Sequence, residues 1–173
     1  EPYTELEKLG LEKEVIGIYI SGHPLNNFQF ELETFCNASC AILNDLNLLE
    51  GKDIRVGGIV SSVEHRTTKN GKPFGKFVLE DFSGNSGKDA FTLFGESYLK
   101  FRNFMNEGWF LFVEGNVLRS TWGAQNLEFK VRNIDLLNDI AQKRLMGVAM
   151  RIPVQSISTQ LIDGVEAICK KYP

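Results

Sequence analysis

Between Lys52 and Ile134, apolar and polar residues alternate in short runs divided by turn residues, and this pattern constrains the chain more than any other. The first run starts at Lys52 and sets Ile54, Val56 and Val60 on one face, with Arg55 on the other. Gly57-Gly58 lies in its middle, where it would weaken a flat sheet but allows a long strand to coil sharply. Asn70-Gly71, inside Thr67–Pro73, is a hairpin signal. The second run is Phe74–Asp81, with Phe77 and Leu79 inward and Lys76 and Val78 outward. Ser83–Gly87 reads as a turn and Lys88–Phe94 as the third strand. From Gly95 to Asn106 the period becomes helical, with Tyr98, Phe101 and Met105 on one side. Trp109–Leu118 and Leu127–Ile134 are the fourth and fifth strands. In the fifth, Leu127, Phe129 and Val131 face inward, and Glu128, Lys130 and Arg132 face outward.

Three strands, a helix and two strands is the order of an OB-fold, a small Greek-key barrel that often binds single-stranded nucleic acid. The expected fold is therefore mainly β with helices: a five-stranded OB barrel over 51–137, a helical segment and linker over 1–50, and the start of a truncated α/β tail over 138–173. In the first segment, Leu6, Leu9, Val15, Ile16 and Tyr19 predict a helix over Thr4–Ile20, stopped by Ser21-Gly22-His23-Pro24. A second helix is expected from Asn26 or Asn27, with Phe28, Leu32 and Phe35 as its stripe. The tail reads as a strand over Gly147–Val154 and an amphipathic helix from about Ser158.

Charge narrows the function. The net charge is −3, so the chain is no polycation. Residues 1–50 carry 2 basic and 9 acidic residues, whereas residues 51–137 carry 12 and 10. A mildly basic barrel suits weak local contact with nucleic acid better than tight nonspecific binding. No apolar run approaches the ~18 residues of a membrane span, and no signal peptide is visible at the acidic start. The three cysteines include the close pair Cys36 and Cys40, but neither His23 nor His65 is spaced to complete a zinc site; free thiols in a reducing cytosol are expected. The start at Glu1 and the stop at Pro173 read as the ends of an excised piece of a longer protein.

Glu12-Lys13-Glu14 and Gly17–Leu25, with its Ser-Gly-His-Pro-Leu run, resemble the segment leading into the OB domain of the bacterial DNA polymerase III alpha subunit. Gly57–Val60, Thr68–Pro73, Leu79–Gly84 and Val113-Glu114-Gly115 are similar to the first strand, basic hairpin loop, second strand and fourth strand of that family, so the resemblance covers about Leu9 to Leu136. It implies a piece of a DNA-templated DNA polymerase whose catalytic carboxylates, and its Mg²⁺, belong to a palm domain upstream. It also implies an OB domain that contacts single-stranded template, and a tail through which the full-length chain meets other replisome subunits. This segment itself would carry no catalytic residue and no cofactor. One position departs from the pattern: Lys76 stands where such domains often carry a stacking aromatic, and Phe74 lies two residues earlier on the same face.

The candidate nucleic-acid contacts are Arg66, Lys69, Lys72, Phe74 and Lys76 on one side of a groove, with Arg119, Trp122 and Lys130 on the other. Lys69 and Lys72 also fit a solvated hairpin tip, and Trp122 a ring folded onto the barrel rim; both pairs of readings stay open. His23 fits backbone satisfaction in a turn, and Asp81 fits turn capping better than metal binding, because neighbouring strand residues diverge. Two other function classes compete: an OB domain that contacts protein subunits, and an anticodon-binding OB domain of a tRNA synthetase.

Overall fold

The computed structural model describes residues 4–16, 19–87, 90–120, 126–147 and 149–171. An OB-like antiparallel sheet with helices around it organises them. In chain order the helices and strands are α1 (Glu5–Ile16), α2 (Gln29–Phe35), β1 (Asp53–Thr67), β2 (Pro73–Asp81), the two-residue β3 (Gly84–Asn85), β4 (Phe91–Phe94), α3 (Gly95–Phe101), β5 (Phe110–Arg119), β6 (Leu127–Leu136), α4 (Leu137–Arg144) and α5 (Thr159–Lys171). The strand order is β3-β2-β1-β5-β6, with β4 also paired to β2.

β1 explains how so small a sheet curls. Its first half, Asp53–Ile59, pairs with β5, and its second half, from Ile59 to Thr67, pairs with β2 across a bulge between Val60 and Ser62. Gly57 and Gly58 sit just before this change of partner. A Cβ on Gly58 would lie 2.6 Å from the Glu80 backbone oxygen, so the residue must be bare for the strands to close up. The β1–β2 loop is the expected hairpin turn: Gly71 takes φ 73°, and the Gly71 amide donates to the Thr68 carbonyl at 2.9 Å.

The inward faces follow the alternation of the sequence. Val56, Val60, Phe77, Leu79, Phe91, Leu93, Leu111, Val113, Val117 and Phe129 are buried in one core. Phe77 stacks on Phe91 at 4.8 Å between centroids, and Phe91 meets the edge of the Phe129 ring at 5.5 Å. The first contact ties β4 to β2, and the second brings β4 and β6 together across the interior. α3 caps the same core with Tyr98 and Phe101, and Met105 follows it, as the helical period predicts. β4 begins at Phe91, three residues later than expected; Lys88 and Asp89 lie outside the described residues.

Apart from this core a second apolar cluster joins Leu25, Phe112, Leu137 and Ile140, with Phe28, Leu32 and Phe35 packed against it. Phe28, Leu32 and Phe35 therefore share one partly buried side, as their spacing predicts, but the segment before α2 differs. Pro24–Phe28 is a 3₁₀ turn, and its cap is His23, whose Nδ1 accepts the Leu25 amide at 3.2 Å. The proline at its first position fixes φ, so the turn starts before either asparagine. α1 is described over Glu5–Ile16, and Tyr19 and Ile20 are not helical as expected; of its stripe Leu9 is buried while Val15 and Ile16 are exposed.

α4 was not apparent in the sequence. Leu137 and Ile140 anchor it, and Arg144 crosses to Glu114, with its guanidinium 4.8 Å from the Phe112 ring centre. The tail strand expected over Gly147–Val154 is absent from the described residues there; Val154–Ser156 is a 3₁₀ turn. Met146, Met150 and Val154 are exposed, and an isolated strand has no ladder to satisfy its amides. The amphipathic helix is present as α5, with Ile162 and Ile168 exposed. Among the described residues no helix is long and apolar enough to cross a membrane.

Candidate nucleic-acid interface

A groove of about 1040 Å³ opens between the β1–β2 loop, β4 and β6. Five of the eight residues singled out in the sequence line it: Arg66, Lys69, Phe74, Lys76 and Lys130. Strand register accounts for the grouping. On the outer face Arg66 lies opposite Phe74, and Phe74 opposite Phe94; one step along, Glu64 faces Lys76 and Lys76 faces Thr92. Lys130 reaches the groove from β6, on its far wall.

The other three residues behave differently. Lys72 stands on the same hairpin loop but outside the groove lining. Arg119 is tied to Glu50, its Nε donating to Oε1 at 2.6 Å; this bond raises the guanidinium's affinity for its proton and lowers that of the carboxyl. The structure thus gives Arg119 an intramolecular partner, 69 residues away, that sequence spacing could not reveal. Trp122 lies outside the described residues. Arg66 is also paired, 2.8 Å from Glu64, in an exposed bridge that solvent weakens.

Among the lining residues that sequence reasoning passed over, one is an exposed aromatic. Phe94 is 57% exposed and stacks on Phe74 with centroids 5.2 Å apart and planes 19° from parallel. The signal was in β4: Phe91 and Leu93 face inward, so alternation turns Phe94 outward with Thr92. Thr68, Thr92, Ser97 and Ser120 supply hydroxyls along the same groove.

The remaining candidates resolve into scaffold. Asp81 caps the turn that follows it, accepting from the Ser83 amide at 2.8 Å and, through its other oxygen, from the Cys40 amide at 2.7 Å. Glu80 is buried against Lys13, whose ammonium also lies 4.5 Å from the Tyr19 ring centre. Burial lowers the His23 pKa and raises the Cys36 thiol to about 12 and the Cys40 thiol further still. Among the described residues no three His, Cys, Asp or Glu side chains gather as metal ligands.

No protein-family model matches the chain. Curated relatives do. DNA polymerase III subunit alpha of Borreliella burgdorferi is 34% identical over 138 residues, covering 79% of this chain and 12% of that protein. The subunit of Mycobacterium tuberculosis is 37% identical over 84 residues, covering 49% and 7%. That of Escherichia coli K12 is 27% identical over 164 residues, covering 94% and 14%. The chain therefore spans 7% to 14% of the length of these relatives. Among solved structures, the second OB-fold domain of replication protein A from Methanococcus maripaludis matches with a TM-score of 0.33 at 18% identity, covering 66% of this chain and 100% of that one. Asparaginyl-tRNA synthetase from Pyrococcus horikoshii matches with a TM-score of 0.36 at 16% identity, covering 72% and 26%. Superpositions this loose do not separate one ligand class from another. The sequence relationship is the firmer finding: over most of its length the chain is homologous to the DNA polymerase III alpha subunit, as a segment of that much longer protein.

Proposed function

We propose that this chain is the noncatalytic, single-stranded-DNA-binding OB module of a replicative bacterial DNA polymerase, a five-stranded barrel that works in the cytoplasm. The full-length protein would be a Mg²⁺-dependent, DNA-directed DNA polymerase with its catalytic carboxylates elsewhere in the chain. The observation that carries this reading is the groove that gathers Arg66, Lys69, Phe74, Lys76 and Lys130 from β1, the hairpin loop, β2 and β6. A concave track with cations on two walls follows a flexible phosphate backbone without reading bases. The exposed apolar face of α5 is the part of the tail suited to other replisome subunits.

Charge sets the expected strength. Four cations line the groove, so neutralising four phosphates would give log K a slope of about −2.8 against log salt, or about 50-fold between 50 and 200 mM. Binding is weak and sharply salt-sensitive. The test is an anisotropy titration of labelled oligo-dT at several salt concentrations. Lys69→Ala/Lys72→Ala should weaken binding and flatten the slope by about 0.7, because of the two lysines only Lys69 lines the groove. Binding by this variant equal to that of the parent would remove the groove from consideration and favour the protein-contact reading. The same preparation should not extend a primed template above a no-protein control.

A further inference from the structure

We infer that Phe94, backed by Phe74, is the surface on which an unpaired base stacks, and that this contact makes the groove prefer single strands to duplex; the inference rests on the proposed DNA-binding function and names the residue that gives it selectivity. Large apolar side chains exposed on a strand are informative when they sit among polar neighbours. Phe30, Phe82 and Trp109 are exposed as well, but none of them lines the groove. Phe94 does, and one face of its ring is covered by Phe74 while the residue remains 57% exposed. Phe74 is half-buried and lies directly opposite in the β2–β4 ladder, so it holds the Phe94 ring in a fixed plane. A fixed ring with one open face loses little freedom when a base covers it.

The surrounding charges fit the same geometry. Arg66 lies opposite Phe74 on β1, and Lys76 is the next outward residue on β2. They flank the aromatic pair at positions where the phosphates of a nucleotide stacked on Phe94 can be met, and Lys130 stands on the opposite wall. These cations attract any nucleic acid, single or double. The ring does not: bases of a duplex already stack on their neighbours and present no free face without being pulled apart. Selectivity therefore resides in Phe94 and affinity in the lysines.

Anisotropy titrations with three probes separate these roles: oligo-dT, a hairpin duplex, and an oligonucleotide of the same length with abasic sites. Phe94→Ala should weaken oligo-dT binding about tenfold, leave the duplex and the abasic strand within about twofold, and leave the salt slope unchanged. Phe94→Trp should restore binding. Phe94→Leu, which keeps an apolar side chain on the strand but has no ring, should behave like Phe94→Ala; a thermal melt confirms that each variant is folded. Equal losses on oligo-dT and on the abasic strand would overturn the inference, as would a Phe94→Ala variant that binds like the parent. If the parent itself fails to bind oligo-dT, the proposed function falls. If the parent binds and Lys69→Ala/Lys72→Ala weakens it while Phe94→Ala does not, only the stacking role falls.

Discussion

Replacing Lys13 with Met should destabilise the protein by about 2 kcal/mol, although Lys13 lies outside the sheet and 67 residues from its partner. Its ammonium is the charge facing Glu80, whose side chain is 10% exposed, while Lys13 itself is 34% exposed. Breaking a fully buried ion pair by removing one member costs about 3–5 kcal/mol, because the other charge is left without compensation. An exposed pair is worth about 0–1 kcal/mol. A buried acid with a partly wet lysine lies between these limits, and the 4.5 Å approach of the ammonium to the Tyr19 ring adds to the loss. For a chain of 173 residues, about 2 kcal/mol lowers Tm by about 4–8 °C. Thermal and urea unfolding of four proteins form the assay: the parent, Lys13→Met, Glu80→Gln and the double variant. Because Gln carries no charge, the double variant should recover at least half of the loss of Lys13→Met, with a coupling above about 1 kcal/mol. A Lys13→Met variant within about 0.5 kcal/mol of the parent would refute the reasoning, and so would a double variant no more stable than the single one.

Gly58→Ala should cost about 1–3 kcal/mol, since its Cβ would meet the Glu80 backbone oxygen at 2.6 Å; Gly57→Ala should cost less, because its nearest obstacle is a side-chain tip, the Leu32 Cδ2, rather than backbone. Chemical denaturation of the two variants ranks them, and the reverse order would be inconsistent with this packing. Iodoacetamide at neutral pH should modify exposed Cys169 rapidly and spare Cys36 and Cys40 until the protein unfolds, as peptide mass mapping would reveal. Burial raises the Cys36 thiol from its ordinary 9.0 to about 12, so the folded state keeps a proton that the unfolded chain loses; this contribution to stability is intact below pH 9 and is lost as pH rises towards 12, which unfolding midpoints measured across that range would test.

What the sequence determined by itself was local. The alternation of Leu127, Phe129 and Val131 with Glu128, Lys130 and Arg132 is a property of one strand, and it survives intact in β6. Asn70-Gly71 specifies its own turn, and Tyr98, Phe101 and Met105 announce a helical cap before any partner is known. Arg66, Lys69, Phe74, Lys76 and Lys130 were legible because a basic loop and outward strand positions need no register to be recognised. Tertiary structure decided what depends on two distant segments at once. It placed Phe94 on Phe74, gave Arg119 to Glu50, docked Lys13 on Glu80, and left the described residues between Met146 and Val154 outside any strand. α4 escaped notice for the same reason: eight residues carry too short a period to stand out, and Leu137 and Ile140 mark a helix only once Phe112 and Leu25 supply the surface they bury against. A strand's period is written in its own residues, whereas a pairing or a packing face is fixed by the geometry of whatever lies across from it.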